Sequence, residues 1–377
     1  MSSGRSRSTS VVALLADVPS TGHLGDARAR RFPLGGDDLA AQTGEFIDFA
    51  AHHVTHGRKV VALYPRWQGG RAERAVRFAR GALRTDHIAA VPVDVSPLAL
   101  SLLADQVAYL APYLPAGLVA ELADELASHV LAGGWLRSVA NLSTIPITVK
   151  QHMGSFAPGV AFLAFCAPVK RVGRVKKTDP AANIPFLPVN PVQILVSAGG
   201  DADRTAFDTQ FLPVVGATAM RELPEQPLGA TYWGSPRYVE FVVFSAHQDA
   251  LAHPVRALRS TTCAWCGERV VGPRCRFCGA ANQTPAGRPP AHRGAAPPLS
   301  SPSAPPAAAP PRGTPPSPSG PPPPSGPRVP GPPPHPSSPA GPPSPPEANG
   351  RPRPQPLPPS PVPRTETGPV PEYRPAR

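Results

Sequence analysis

The sequence predicts an α/β protein. It should have a parallel or mixed sheet with helices in its N-terminal part, a β-rich second half, a small cysteine module and a disordered proline-rich tail. Three observations carry this reading. Strand and helix patterns alternate over residues 11–132, as βαβ units do. Helical periodicity then fades, and short runs of Val, Ile and Phe take over through residues 135–260. Finally, 38 of the 58 prolines fall in residues 283–377. No packed core forms there, because proline donates no backbone hydrogen bond and large apolar side chains are scarce.

Taken in order, residues 1–10 are a loose polar start and residues 11–16 a short buried strand ending at Asp17. Residues 20–36, rich in Gly, Arg and Asp, form a loop. A helix begins near Asp37, keeps Leu39, Phe46, Ile47, Ala50 and Val54 on one face, and stops at Gly57. Residues 59–64 are a strand broken by Gly69 and Gly70, and residues 71–83 resume a helix. Residues 88–94 are the next strand. Ser96 and Pro97 then start a helix, with an N-cap oxygen followed by proline in the first turn. A further helix is expected over residues 115–132, ended by Gly133 and Gly134. Beyond it the strand candidates are residues 145–149, 160–166, 192–196 and 238–245. The expected organisation is a flexible start (1–10), an α/β domain (11–255, divisible into 11–134 and a β-rich 135–255), the cysteine module (261–282) and the tail (283–377).

The net charge is +12, of which the tail carries +6. The folded part is therefore only mildly basic, which weakens an inference to nucleic acid or an anionic membrane. Arg outnumbers Lys 32 to 5 in a chain rich in Ala, Gly and Pro, as a GC-rich coding bias would produce. The apolar run at residues 11–16 falls short of a signal-peptide core. The uncharged stretch 154–169 is too short to span a bilayer. These features predict a protein of the reducing cytoplasm.

Four of the five cysteines form two matching knuckles, Cys263-Ala-Trp-Cys266-Gly267 and Cys275-Arg-Phe-Cys278-Gly279, with eight residues between the pairs. A C-x2-C turn lets two thiolates reach one tetrahedral ion at about 2.3 Å each. The following glycine permits positive φ, which turns backbone N–H groups toward sulfur. Four thiolates leave no open coordination position, so the set Cys263, Cys266, Cys275 and Cys278 reads as structural zinc, with iron as the weaker fit. The segment resembles a short bacterial zinc ribbon over residues 261–282, with every ligand position and both glycines present. Outside it no family resemblance is found.

Other constellations are weaker. Lys170, Arg171, Arg174, Lys176 and Lys177 make the densest basic run of the folded part. The run is either a phosphate-contacting patch or a charged edge strand that blocks aggregation. Arg71, Arg74, Arg77, Arg80 and Arg84 give one helix a basic side, which by default is a solvated face. His52 and His56 lie four apart near a helix end, close enough to share a metal. Asp17, Arg66 and Asp94 each follow a strand candidate, and in an open parallel sheet those ends share a ligand-binding rim. No glycine-rich phosphate motif and no serine nucleophile elbow occurs. The expected function is accordingly a non-enzymatic accessory or scaffold protein. Its ribbon and proline-rich tail would engage an unidentified protein partner. A nucleic-acid-binding protein is the first alternative, and an enzyme at the strand-end rim the second.

Overall fold

The computed structural model describes residues 9–35, 38–175, 184–247 and 249–282. The chain divides into two units, Met1–Ala296 and Pro297–Arg377, and every described residue belongs to the first. The expected tail, residues 283–377, lies outside the described residues.

The first half contains β1 (Ser10–Leu14), β2 (Arg30–Arg31), α1 (Leu39–Thr55), β3 (Lys59–Pro65), α2 (Gly69–Leu83), β4 (Ile88–Val93), α3 (Pro97–Leu110) and α4 (Ala116–Ala127). Its strands form one sheet in the order β2-β1-β3-β4, every pair parallel. Gly57, at φ +72°, lets the chain turn out of α1 into β3. Gly69 and Gly70, expected to lie outside the helix, are its first two residues.

The second half adds β5 (Leu131–Leu136), α5 (Val149–Gly154), β6 (Phe162–Ala167), β7 (Arg171–Arg174), β8 (Val192–Gly199), α6 (Thr205–Gln210), α7 (Leu212–Val215), β9 (Ala219–Leu223), α8 (Gly229–Trp233), β10 (Tyr238–Ser245) and α9 (Ala252–Ala257). A mixed sheet runs β7-β6-β5-β10-β8-β9, antiparallel except for the β8–β9 pair. The small hairpin β11 (Thr261–Thr262) and β12 (Arg269–Val270) belongs to the cysteine module. The architecture is thus α/β with one parallel and one mixed sheet.

Two expectations fail, the first for a tertiary reason and the second for a local one. The helix expected to reach residue 132 stops at Ala127, and Gly133 and Gly134 lie inside β5. A Cβ on Gly133 would come within 2.6 Å of the Ala164 carbonyl oxygen, and one on Gly134 within 3.0 Å of the Trp233 ring. The pair permits close approach and does not terminate a helix. Residues 145–148 form no strand, and α5 begins at Val149 with a capping box between Thr148 and Gln151.

Layering follows from which face each strand turns to which helix. One face of the parallel sheet (Ala13, Val60, Ala62) is covered by α1 and α2 through Phe46, Ala50, Val76 and Ala79. Its other face (Leu14, Leu63, Val91) meets α3 and α4, which in turn meet Leu136, Ala164 and Val242 of the mixed sheet. The far face of the mixed sheet is closed by Phe207 and Phe211. Lying between two sheets, α3 is buried continuously over residues 97–107, as expected of a helix apolar on nearly every side. Its one carboxylate, Asp105, is neutralised by Arg31 at 2.8 Å and accepts the Ser20 hydroxyl at 2.8 Å. These bonds tie the loop around residues 18–31 to the core.

Candidate functional site

Three places gather chemistry. The first is a cavity of about 470 Å³ between α3, α4, the end of β10, α9 and the loop before β8. Leu126, Val130, Phe186, Pro188, Val189, Phe244 and Leu251 make its walls apolar. Gln106, His129, His247, His253 and Arg256 supply the polar groups. Gln106 is buried, and its Oε1 has no partner among the described residues. His129 pairs with Glu125 at 3.2 Å and lies edge-on to His253, with ring centroids 5.4 Å apart. Sequence reading missed this cavity. The one signal available was Phe186, Leu187 and Val189, apolar residues inside a proline-punctuated loop.

The second place is the strand-end rim. Asp17, after β1, and Arg66, after β3, line one cleft of about 630 Å³ with Trp67, Gln68, Arg71 and Arg74. Asp94, after β4, is not among its lining residues; it ion-pairs with Lys170 at 2.8 Å. The three expected rim residues therefore do not converge.

The third is the cysteine module. Among the described residues, Cys263, Cys266, Cys275 and Cys278 are the group of metal-ligating side chains close enough to share an ion, with ligand atoms within 4.8 Å of one another. The Sγ atoms of Cys263 and Cys278 are 3.7 Å apart, and those of Cys266 and Cys275 3.5 Å apart. A tetrahedron with bonds of about 2.3 Å has edges of about 3.8 Å, so the spacing suits one ion. Gly267 and Gly279 take φ of +75° and +77°, the turn the two knuckles require. The N–H of Cys266 points at Cys263 and draws that thiol down to about 7, whereas burial raises Cys266 and Cys275. The unequal thiols belong to one coupled set.

The module is docked on the domain. Glu268 ion-pairs with Lys59 and accepts the Gly117 N–H at 2.9 Å. Arg276 reaches Asp124 at 2.8 Å and Glu121 at 3.4 Å, while Arg80 donates to the Arg276 carbonyl at 2.9 Å. Cys263, Val270, Cys275 and Phe277 are buried in the same apolar cluster as α3 and α4.

The basic run is dispersed. Lys170 is engaged with Asp94 and the Thr144 carbonyl, each at 2.8 Å. Arg171 and Arg174 bound β7, an edge strand of the mixed sheet. Lys176 and Lys177 lie outside the described residues. His56 Nδ1 is 2.6 Å from the His52 carbonyl oxygen, and the centroids of the two imidazole rings lie 4.5 Å apart. Among the described residues no helix is long and apolar enough to cross a membrane.

No family model matches the chain, and no curated protein does. Solved structures similar to part of this chain are found at low identity. A DegV family protein from Corynebacterium glutamicum is 15% identical, with 64% of this chain and 98% of that chain covered and a TM-score of 0.46. A stearic-acid-binding protein from Eubacterium ventriosum is 12% identical, with 63% and 98% covered and a TM-score of 0.45. A DegV family protein from Thermus thermophilus, described by its fatty acid binding, is 11% identical, with 63% and 99% covered and a TM-score of 0.46. The reading of an accessory or scaffold protein, with its nucleic-acid-binding alternative, is corrected by the structure. The ribbon's apolar side is buried in the domain, and Lys170 is ion-paired with Asp94.

Proposed function

We propose that this protein binds a single-chain amphiphile with an anionic head, of the fatty-acid type, in the cavity between α4, α9 and β10. The observation that carries the reading is the cavity's composition: apolar walls with Arg256, His253 and Gln106 in the lining. At about 470 Å³ it falls within the usual range for a small-molecule site. Leu126, Val130 and Phe244 would take the chain, each buried methylene contributing about 0.8 kcal/mol. Arg256 would meet the carboxylate by a charge-assisted hydrogen bond.

Displacement of a fluorescent fatty acid by stearate tests this. Saturable displacement is expected, weakened at least tenfold by Val130→Trp, which fills the cavity, and less by Arg256→Gln. Absence of displacement from the folded protein would overturn the reading.

The four cysteines are proposed to hold structural zinc. Their sulfur spacing and closed donor set support this, and such a thiolate set suits the reducing cytoplasm. Metal analysis should find one zinc per chain. Chelation should lower the melting temperature while leaving the sheet signal at room temperature. Neither zinc nor iron in the purified protein would refute it.

A further inference from the structure

We infer that the cleft at the ends of β1 and β3 is a second binding site, for a small molecule bearing a phosphate group. The cleft measures about 630 Å³ and lies at the carboxyl ends of parallel strands, where open α/β sheets present ligands. Arg66, Arg71 and Arg74 line it. None of the three forms an ion pair among the described residues, whereas Arg77 on the same helix is bound to Glu73 at 2.8 Å and Arg80 to the Ile88 carbonyl at 2.7 Å. The arginines of α2 that line the cleft are thus the ones left without a carboxylate or carbonyl partner.

The N-terminus of α2 opens onto the same space. No side chain caps it and its first turn holds no acidic residue, so the helix dipole adds to the positive field. A Cβ on Gly70 would meet only the Arg74 guanidinium, at 3.8 Å, so the backbone there is open to a ligand. Asp17 is the one carboxylate of the lining. Three guanidiniums against one carboxylate favour a dianion over a monocarboxylate. Guanidinium forks match phosphate oxygens two at a time, and Asp17 is placed to accept a hydroxyl of the same ligand. This site and the amphiphile cavity share no lining residue, so either can fail without the other.

The test uses the full chain and inorganic pyrophosphate, titrated by calorimetry. Arg66→Gln with Arg74→Gln should weaken binding at least tenfold. Arg77→Gln with Arg84→Gln removes equal charge outside the cleft and should change it less than twofold. Equal weakening in both pairs would reduce the effect to general charge, including that of the tail, and overturn the site. So would the lack of saturable binding up to about 5 mM, the weak end of specific affinity. Mapping of phenylglyoxal modification in the unsubstituted protein supplies a check that does not depend on variants folding. Pyrophosphate should protect Arg66, Arg71 and Arg74, and unchanged labelling would refute the proposal. Competition by glycerol phosphate would identify a free phosphate ester as ligand, and competition by phosphatidic-acid vesicles alone a lipid headgroup; both keep the phosphate site.

Discussion

The Leu98 N–H donates to Glu240 Oε1 at 2.7 Å, so a carboxylate on β10 of the mixed sheet satisfies the first turn of α3. Ser96, the residue whose oxygen the sequence offers as N-cap, makes no side-chain cap bond. Capping comes from 142 residues away. It fixes the central helix to the second sheet.

Glu240 should therefore make stability depend on pH. Burial raises its carboxyl to about 7. An unfolded glutamate titrates near 4.3. Between those values the native state holds a proton that the unfolded chain has lost, so this group's contribution falls as pH rises from about 4.3 to 7 and then levels. Glu240→Gln keeps an acceptor for Leu98 and removes the proton. The urea midpoint of the unsubstituted protein, measured relative to this variant, should drop across that window. Parallel pH profiles for the two proteins would show that Glu240 does not titrate there.

Gly117→Ala should loosen the cysteine module. The new Cβ would lie 2.0 Å from the Arg269 carbonyl oxygen and 2.7 Å from its nitrogen. Alanine favours the helix by about 0.5–1 kcal/mol. Overpacking against backbone costs about 1–3 kcal/mol, so the clash should win. Lower melting temperature and faster metal release to a chromogenic chelator are expected. A stabilised variant with unchanged release would mean that β12 yields freely.

Gly133→Ala probes the strand that sequence reading misplaced. Its Cβ would press on the Ala164 carbonyl at 2.6 Å and the Phe241 ring at 2.9 Å. A loss of about 1–3 kcal/mol is expected, seen as a lower urea midpoint. An unchanged midpoint would show that β5 and β6 can separate without penalty.

How far the sequence reaches is visible element by element. Residues 59–64 and 88–94 lie within a residue of β3 and β4, and residues 238–245 coincide with β10. Their runs of Val, Ile, Ala and Phe, bounded by turn residues, act locally. Gly133 and Gly134 misled because glycine ends a helix and admits a close neighbour with the same missing Cβ. Only Ala164 of β6 and Trp233 of α8, brought against β5 by the fold, tell the two apart.

By itself the sequence determined the alternation of strands and helices through Val93 and the gathering of four cysteines into one cluster. Hydrophobic period and chelate spacing operate over a few residues, so they can be read along the chain. The tertiary structure alone decided that Asp94 pairs with Lys170 and leaves the rim to Asp17 and Arg66. It also decided that Leu126, Phe186, Phe244 and Arg256 enclose one cavity. Those neighbours come from elements far apart in sequence, and what joins them is the stacking of α3 and α4 between two sheets, which no local pattern specifies.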